Sequence, residues 1–317
     1  MSLFLVILLF VLGLILVVKG GDFFVDAASW MAEASGIPKF IVGATIVSIA
    51  TTLPEMLVSI IAAVGGKVDM AVGNAIGSVT CNTGLIMGLL VVFMAGPVKR
   101  SQFGVKSLLM VAAAVVLALF GLSGELSLLP SVLLLVLFAL FIVENLISGK
   151  KEMGVSTDER PEVTRKILTT NIVKFVAGTA GIVIGAQLMV DNGSALAAAL
   201  GVPEAIIGVT MIAVGTSLPE LVTAITAIRK HQSLLSVGNI IGANIIDLTV
   251  ILPLCSLVSG KALPFGTQSM YWDMPACAII VAIAVIPTLI SEKLQRWQGA
   301  LLLGAYAAYL VLITCVA

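Results

Sequence analysis

The strongest constraint on this chain is an internal repeat at a constant offset of 165 residues. The segment GATIVSIATTLPEMLVSIIAA at 43–63 matches GVTMIAVGTSLPELVTAITAI at 208–228, and VGNAIGSVTCN at 72–82 matches VGNIIGANIID at 237–247. No gap is needed from residue 20 to residue 89. Chance does not produce such an alignment, so we expect the two halves to be duplicates with the same fold.

The composition indicates that both halves lie in a membrane. Of the 317 residues, 60% are apolar and 11% are charged, and the mean hydropathy is +1.18. So few charges cannot cover the surface of a soluble protein of this size. Apolar segments near the roughly 20 residues that span hydrocarbon occur at 3–18 (or 3–33 if the helix continues), 40–64, 70–96, 107–123, 126–143, 167–190, 205–228, 234–258, 274–291 and 297–316. The sequence therefore predicts an all-α membrane protein with ten transmembrane helices.

The organisation of the chain follows from its single long polar stretch, SGKKEMGVSTDERPEVTRK at 148–166. We expect a first five-helix repeat at 1–147, a cytoplasmic linker at 148–166 and a second five-helix repeat at 167–317. An odd number of spans per half means that the second half enters the membrane in the opposite sense. Two inverted five-helix repeats are typical of secondary transporters, whose binding sites lie near the midplane between the repeats.

The charge distribution predicts the orientation. If the N-terminus is extracellular, 14 of the 17 Lys and Arg residues, Lys106 among them, lie in connectors on the other side. The positive-inside rule makes that side cytoplasmic, so both termini are expected outside, in a plasma (inner) membrane. The first apolar segment lacks the basic start of a signal peptide and aligns with an internal span, so we keep it as a span.

Several classes of function find no support. The net charge is zero without a basic tract, which argues against nucleic-acid binding. The four cysteines lie scattered in apolar segments and indicate packing residues. The sequence contains no HExxH, GxSxG, CxxC or P-loop motif, so neither an enzyme nor a bound cofactor is predicted. The lipid bilayer is the expected partner.

One carboxylate interrupts an apolar span at equivalent positions in the two halves. Glu55 is the only charge between Lys39 and Lys67, and Glu220 is its counterpart. A charged group at bilayer depth costs roughly 2.5–3.5 kcal/mol on insertion scales and usually marks an ion or proton pathway. A structural ion pair is the alternative, but Lys174 is the only basic residue that we find within these or neighbouring spans, and it cannot serve both. The pair predicts a cation pathway.

Oxygen donors surround both glutamates. Pro54 and Pro219 precede them, and a proline inside a helix frees the carbonyl four residues back. Hydroxyls lie one turn before each carboxylate, at Thr51, Thr52, Thr216 and Ser217. Such an all-oxygen site suits hard cations such as Ca²⁺ and Na⁺.

The second pair of matching segments adds further polar groups. Ser78 and Asn82 share a helix face, and their counterparts are Ala243 and Asp247, a third intramembrane carboxylate. Two further asparagines, Asn74 and Asn239, either cross-link helices or bind ions. Their neighbouring glycines, at 73, 77, 238 and 242, favour close helix packing.

These motifs resemble the two sequence repeats of the Ca²⁺/cation antiporter superfamily, and most closely those of prokaryotic sodium/calcium exchangers. The resemblance covers nearly the whole chain, with motif regions at 43–89 and 208–254. It implies ten helices, with the repeats on the second, third, seventh and eighth, and a monomer. It also implies that the first and sixth helices move against the rest of the bundle.

The resemblance further implies the cation ligands. Those for Ca²⁺ would be Glu55, Glu220 and the carbonyls of Thr51 and Thr216. Those for Na⁺ would be the carbonyls of Ser48 and Ala213 with the hydroxyls of Thr52, Ser217 and Ser78, while Asn82 and Asp247 line the centre as a polar pair.

Departures from the pattern leave the coupling open. Thr52 stands where serine is usual, and Ala243 stands where the family often has serine, which puts one Na⁺ site in question. Asp247 opposite Asn82 also occurs in potassium-dependent relatives. The sequence therefore predicts an electrogenic Na⁺/Ca²⁺ antiporter, with H⁺/Ca²⁺ and K⁺-dependent antiporters of the same fold as alternatives.

A cation channel and an intramembrane hydrolase are the alternatives from other classes of protein. A cation channel would use the glutamates as a selectivity ring, but one duplicated chain provides such a ring poorly. An intramembrane hydrolase would need a substrate cleft, for which no signature exists in the sequence. Exchange by alternating access explains both the inverted repeat and the matched carboxylates.

Overall fold

The computed structural model describes residues 2–153, 163–200 and 215–316. Within these residues nine helices are long and apolar enough to cross a membrane, and a shorter helix completes the set. In chain order the helices are α1 (Leu3–Ser35), α2 (Lys39–Val64), α3 (Val68–Phe93), α4 (Arg100–Gly121), α5 (Leu128–Met153), α6 (Arg165–Ala199), α7 (Leu218–Arg229), α8 (Ser233–Ser259), α9 (Ser269–Ser291) and α10 (Arg296–Val316). The prediction of an all-α membrane protein is confirmed.

Some boundaries differ from the sequence prediction. Helix α1 takes the longer of the two alternatives and ends at Ser35. The next residue, Gly36, has a φ of 69°, a left-handed conformation that glycine adopts at little cost. Helix α5 continues to Met153, so residues 148–153 are helical rather than part of a linker. Lys, Glu and Met in this stretch are good helix formers, so the helix extends beyond its apolar segment. Residues 154–162 lie outside the described range, as does the first part of the seventh predicted span.

The packing of α1 against α6 shows the internal symmetry directly. A Cβ atom added to Gly13 would lie 2.8 Å from the Gly185 carbonyl oxygen, and one on Gly185 would lie 2.7 Å from the Gly13 oxygen. The pair Gly20 and Gly178 makes the same reciprocal contact, at 2.9 and 2.8 Å. Gly13 corresponds to Gly178 and Gly20 to Gly185 in the repeat, so each contact is the image of the other. Glycine is required because the two main chains touch.

Two short antiparallel strand pairs repeat this symmetry at the connectors. Strand β1 (Gly96–Pro97) pairs with β4 (Lys293–Leu294), and β2 (Glu125–Leu126) pairs with β3 (Leu263–Pro264). Strands β1 and β3 follow the counterpart helices α3 and α8, while β2 and β4 precede α5 and α10. Exchanging the halves therefore converts one pair into the other.

The centre of the bundle is formed by α3 and α8. Their most apolar windows are 72% and 78% buried, against 22% for α1 and for α6. Helix α2 lies directly on α8, since a Cβ atom on Gly238 would come 2.0 Å from the Phe40 oxygen and one on Gly242 would come 2.5 Å from the Ser48 Oγ. The predicted packing role is confirmed for Gly238 and Gly242, but it is wrong for Gly73 and Gly77, where an added Cβ atom would meet no described atom within 4 Å. The close packing at Gly238 and Gly242 brings the polar turn of α2 against the core helix.

Lys106 is the main correction to the charge analysis. Helix α4 begins at Arg100, so Lys106 lies inside the helix and not in a connector, and its side chain is fully buried. Its Nζ lies 3.7 Å from Glu144 Oε1 and 5.9 Å from the centroid of the Phe40 ring. A long side chain with a carboxylate partner allows this burial. Lys19, which the count of 14 also assigned to a connector, lies inside α1. Lys174 is therefore not the only basic residue within a span, but Lys106 pairs with Glu144 and not with Glu55 or Glu220.

Candidate cation-binding site

Three carboxylates are completely removed from solvent inside the bundle. Glu55 lies on α2, Glu220 in the first turn of α7 and Asp247 on α8, each with 0% exposure. No hydrogen-bond partner among the described residues meets either oxygen of Glu55 and Asp247, or the Oε2 of Glu220. A buried carboxylate without a partner is costly unless a cation neutralises it.

The two prolines act differently from each other. Pro54 lies inside α2, as the sequence predicts. Pro219 lies instead in the first turn of α7, because residues 216 and 217 form a turn and the helix begins at Leu218. The prediction that Pro219 interrupts a continuous helix is wrong for this half. Glu220 gains the N-terminal end of a helix, whose dipole favours a negative charge.

Hydrogen bonds between the halves bring the predicted ligands together. Thr52 Oγ1 donates to Glu220 Oε1 at 3.5 Å. The hydroxyls of Ser78 and Thr216 are 3.5 Å apart, and either can donate. Thr51 Oγ1 lies 3.2 Å from Asn239 Oδ1 and donates to it. Both repeats therefore contribute side chains to one polar cluster.

Asn82 and Asp247 stand at matching points of the two core helices. Each begins a π-helical segment, at 82–87 in α3 and 247–251 in α8. Both side chains are fully buried, and none of their polar atoms finds a partner in the described parts of the chain. Single π-turns are often found at functional sites, where they re-aim side chains.

Most of the remaining predicted ligands lie within the described residues. Ser48 is fully buried, and its carbonyl oxygen lies 3.4 Å from Thr51 Oγ1, as the more distant of two acceptors for that hydroxyl. Ser217 is buried, with an Oγ that meets no partner within the described residues. Thr216 is half-buried. Ala213 lies outside the described residues.

The donor chemistry fits a hard cation. Within the described residues, no group of three or more His, Cys, Asp and Glu side chains is close enough to hold a metal ion. A cation here must therefore combine carboxylates with hydroxyl and carbonyl oxygens. Ca²⁺ takes six to eight such oxygens, and soft metals would require Cys or His.

The structure shows that two asparagines cross-link helices, which is one of the two roles that the sequence offered for them. Asn74 Nδ2 donates to the main-chain oxygen of Glu55 at 3.2 Å and to Ser59 Oγ at 2.9 Å. Asn239 Nδ2 donates to Thr223 Oγ1 at 3.2 Å. Both asparagines therefore cross-link helices beside the glutamates. Ser59 and Thr223 were missed by the sequence analysis, although they lie four and three residues after the glutamates, on the same helix faces.

A duplicated bundle of membrane helices with buried carboxylates and hydroxyls from both halves defines a carrier of hard cations. Comparison with known proteins agrees, because the family described as sodium/calcium exchanger protein matches residues 5–146 and 170–315. The chain therefore belongs to the sodium/calcium exchanger family.

Individual relatives match over nearly their whole length. Inner membrane protein YrbG of Escherichia coli is 36% identical over 313 residues, which cover 96% of this chain and 95% of that protein. Sodium/calcium exchanger MaX1 of Methanosarcina acetivorans is 30% identical, with 96% and 97% covered. A solved structure of the sodium-calcium exchanger NCX_Mj, soaked with 2.5 mM Na⁺ and 10 mM Sr²⁺, superposes with a TM-score of 0.84 at 30% identity over 98% of this chain and 99% of that chain.

Proposed function

We propose that the protein exchanges Na⁺ for Ca²⁺ across a membrane, at one site built from both repeats and open alternately to the two sides. The observation that carries the proposal is the burial of Glu55 and Glu220, one from each repeat, with carboxylate oxygens that no described residue satisfies. Family membership supplies the identity of the two ions. The protein is thus a transporter and not an enzyme, and Na⁺ and Ca²⁺ are its cargo.

The ligand assignment extends this proposal. Glu55, Glu220 and the carbonyls of Thr51 and Thr216 would bind Ca²⁺. The carbonyls of Ser48 and Ala213 and the hydroxyls of Thr52, Ser78 and Ser217 would bind Na⁺, with Asn82 and Asp247 at the centre. The bond from Thr52 to Glu220 and the contact of Ser78 with Thr216 support the assignment, since hydroxyls proposed for Na⁺ lie against groups proposed for Ca²⁺.

Adjacent ligands for the two ions explain coupling. Two like charges in a region of low dielectric repel each other, so a site without cations resists the rearrangement that carries it across the bilayer. Either Ca²⁺ or several Na⁺ ions remove this repulsion, and ligands that lie against each other cannot hold both kinds of ion at once. Exchange is therefore favoured over leakage, and it is electrogenic if the charges carried in the two directions differ.

The strand pairs support the proposed topology. Strands β1 and β4 pair, so the connectors that contain them lie on one side of the membrane, and an even number of crossings separates them. Helices α4, α5, α6, α8 and α9 supply five, and the segment that includes α7 supplies the sixth. Lys99, Arg100, Lys293 and Arg296 flank this strand pair, which makes its side cytoplasmic by the positive-inside rule.

The same argument places the ends of the chain. Three crossings separate the N-terminus from β1, so both termini would be extracellular in a plasma (inner) membrane. The boundary between the five-helix repeats would fall at the cytoplasmic stretch between α5 and α6.

The test is ⁴⁵Ca²⁺ uptake into proteoliposomes with an imposed gradient of Na⁺, of H⁺ or of K⁺, one at a time. We expect an outward Na⁺ gradient to drive uptake, while H⁺ or K⁺ gradients alone do not. Uptake that no counter-ion gradient accelerates would indicate a channel and would overturn the proposal. Uptake driven by H⁺ would assign the protein to H⁺/Ca²⁺ exchange instead.

A further inference from the structure

The main chains at the two glutamates are held by different hydrogen-bond arrangements, although the repeats align without a gap. In the first repeat Asn74 Nδ2 bonds directly to the Glu55 carbonyl oxygen at 3.2 Å and to Ser59 Oγ at 2.9 Å. All of these groups belong to α2 and α3. The support of Glu55 is therefore contained within its own repeat.

The second repeat uses an intermediate hydroxyl. Asn239 Nδ2 donates to Thr223 Oγ1 at 3.2 Å, and Thr223 Oγ1 donates to the Glu220 carbonyl oxygen at 2.8 Å. The difference arises from two adjacent sequence positions, because Val58-Ser59 of the first repeat corresponds to Thr223-Ala224 of the second.

The hydrogen-bonded series Asn239–Thr223–Glu220, called the relay below, also reaches a residue of the first repeat. Asn239 Oδ1 accepts a 3.2 Å hydrogen bond from Thr51 Oγ1, whereas the Oδ1 of Asn74 has no partner in the described structure. Asn239, Thr223 and Thr51 are at most 3% exposed, so water does not compete for these bonds. The chain of bonds runs from Thr51 through Asn239 and Thr223 to Glu220.

We propose that Thr223 and Asn239 are positioning residues that couple the main chain of Glu220 to Thr51 across the repeat boundary. This inference rests on the proposed function, because it takes Glu220 and the Thr51 carbonyl as Ca²⁺ ligands. Ca²⁺ binds its oxygens at 2.3–2.6 Å, and it gains from two ligands held at a fixed separation. The relay links the main chain of Glu220 to the side chain of Thr51, whereas the main chain of Glu55 is held within its own repeat.

The relay predicts unequal effects on the two ions. Thr223→Val removes the hydroxyl with little change in volume, so the Asn239 amide loses its acceptor and the Glu220 carbonyl oxygen loses its side-chain donor. We expect the KM for Ca²⁺ to rise about five-fold, which is the effect of one buried hydrogen bond. The maximal exchange rate and the Na⁺ concentration for half-maximal exchange should change less than two-fold, because the Na⁺ ligands lie mainly on other side chains.

Matched variants separate positioning from packing. Val58→Thr makes the reciprocal change in the first repeat, where Asn74 already has acceptors, and should leave the KM for Ca²⁺ at the wild-type value. Adding Ala224→Ser to Thr223→Val supplies the acceptor that Ser59 gives Asn74, and it should restore at least half of the lost affinity. Thr223→Ser keeps the hydroxyl and should behave as wild type.

The assay is Na⁺-driven ⁴⁵Ca²⁺ exchange in proteoliposomes over a Ca²⁺ series, with Ca²⁺-dependent thermal stabilisation of the purified protein as a second measurement. An unchanged KM for Ca²⁺ in Thr223→Val, or an equal rise in the KM for Ca²⁺ and the Na⁺ requirement, would overturn the inference. If Thr223→Val does not fold, Thr223→Ala replaces it, and a Thr223→Ser variant as impaired as Thr223→Ala would also overturn it. Failure of the proposed function is distinct, because wild-type protein would then show no Na⁺-driven uptake.

Discussion

Replacing Glu55 by glutamine should have opposite effects on stability with and without Ca²⁺. Both carboxylate oxygens of Glu55 are buried without a partner among the described residues, and the charges of Glu220 and Asp247 repel it. At an effective dielectric constant near 20, two unit charges repel by about 4 kcal/mol at a separation of about 4 Å and by less at longer separations. Glu55→Gln removes this repulsion but buries an amide without a partner, which costs about 1–3 kcal/mol.

The balance favours the variant when no cation is present. We expect the free energy of unfolding to rise by about 1 kcal/mol, which corresponds to a melting temperature higher by roughly 2–4 °C. Wild-type protein gains about 2.7 kcal/mol from Ca²⁺ at one hundred times its dissociation constant. The variant should lose most of this gain together with Ca²⁺ transport, because half of the glutamate charge facing the divalent ion is gone.

Thermal unfolding of the detergent-solubilised protein measures both effects. One series uses a Na⁺-free choline buffer with chelator, and the other adds Ca²⁺. Glu125→Gln, at an exposed position outside the spans, is the matched control and should leave both melting temperatures unchanged. A Glu55→Gln protein that is destabilised without cations, yet stabilised by Ca²⁺ as much as wild type, would refute the reasoning.

Two further predictions test the packing and the Na⁺ stoichiometry. Ala243→Ser should change the apparent Na⁺ affinity and the steepness of the Na⁺ dependence more than the KM for Ca²⁺, because Ala243 is fully buried one turn before Asp247. Identical Na⁺ titrations of variant and wild type would show that position 243 does not face the ions. Gly238→Ala should destabilise the protein by about 1–3 kcal/mol, since its Cβ would lie 2.0 Å from the Phe40 oxygen. Gly304→Ala, which meets no described atom within 4 Å, should be neutral or stabilising by up to about 1 kcal/mol, and equal melting temperatures of the two variants would contradict the close approach of α2 and α8.

The burial of the carboxylates could be predicted from the sequence, because a single charged residue in the middle of a long apolar segment must lie within the membrane span. Glu55 and Glu220 could be selected without coordinates, and so could the hydroxyls one helical turn before them. Lys106 shows the limit of the same logic. A basic residue at the edge of an apolar segment looks like the end of a connector, and only the position of Glu144, 38 residues away on α5, shows that it can be buried.

The sequence by itself determined the number of helices, the duplication, the paired glutamates and the hard-cation chemistry, while the resemblance to a family supplied the full set of candidate ligands. The first four depend on local composition or on a fixed offset along the chain, and none of them requires knowledge of which helices touch. Only the tertiary structure decided that α7 begins at Leu218 rather than continuing through Pro219, and that Thr223, not Asn239 itself, contacts the Glu220 carbonyl. The place of Thr223 between Asn239 and Glu220 depends on how α8 packs against α7. A hydrogen bond of 3.2 Å between Thr51 and Asn239, 188 residues apart, leaves no trace in the pattern of either segment alone.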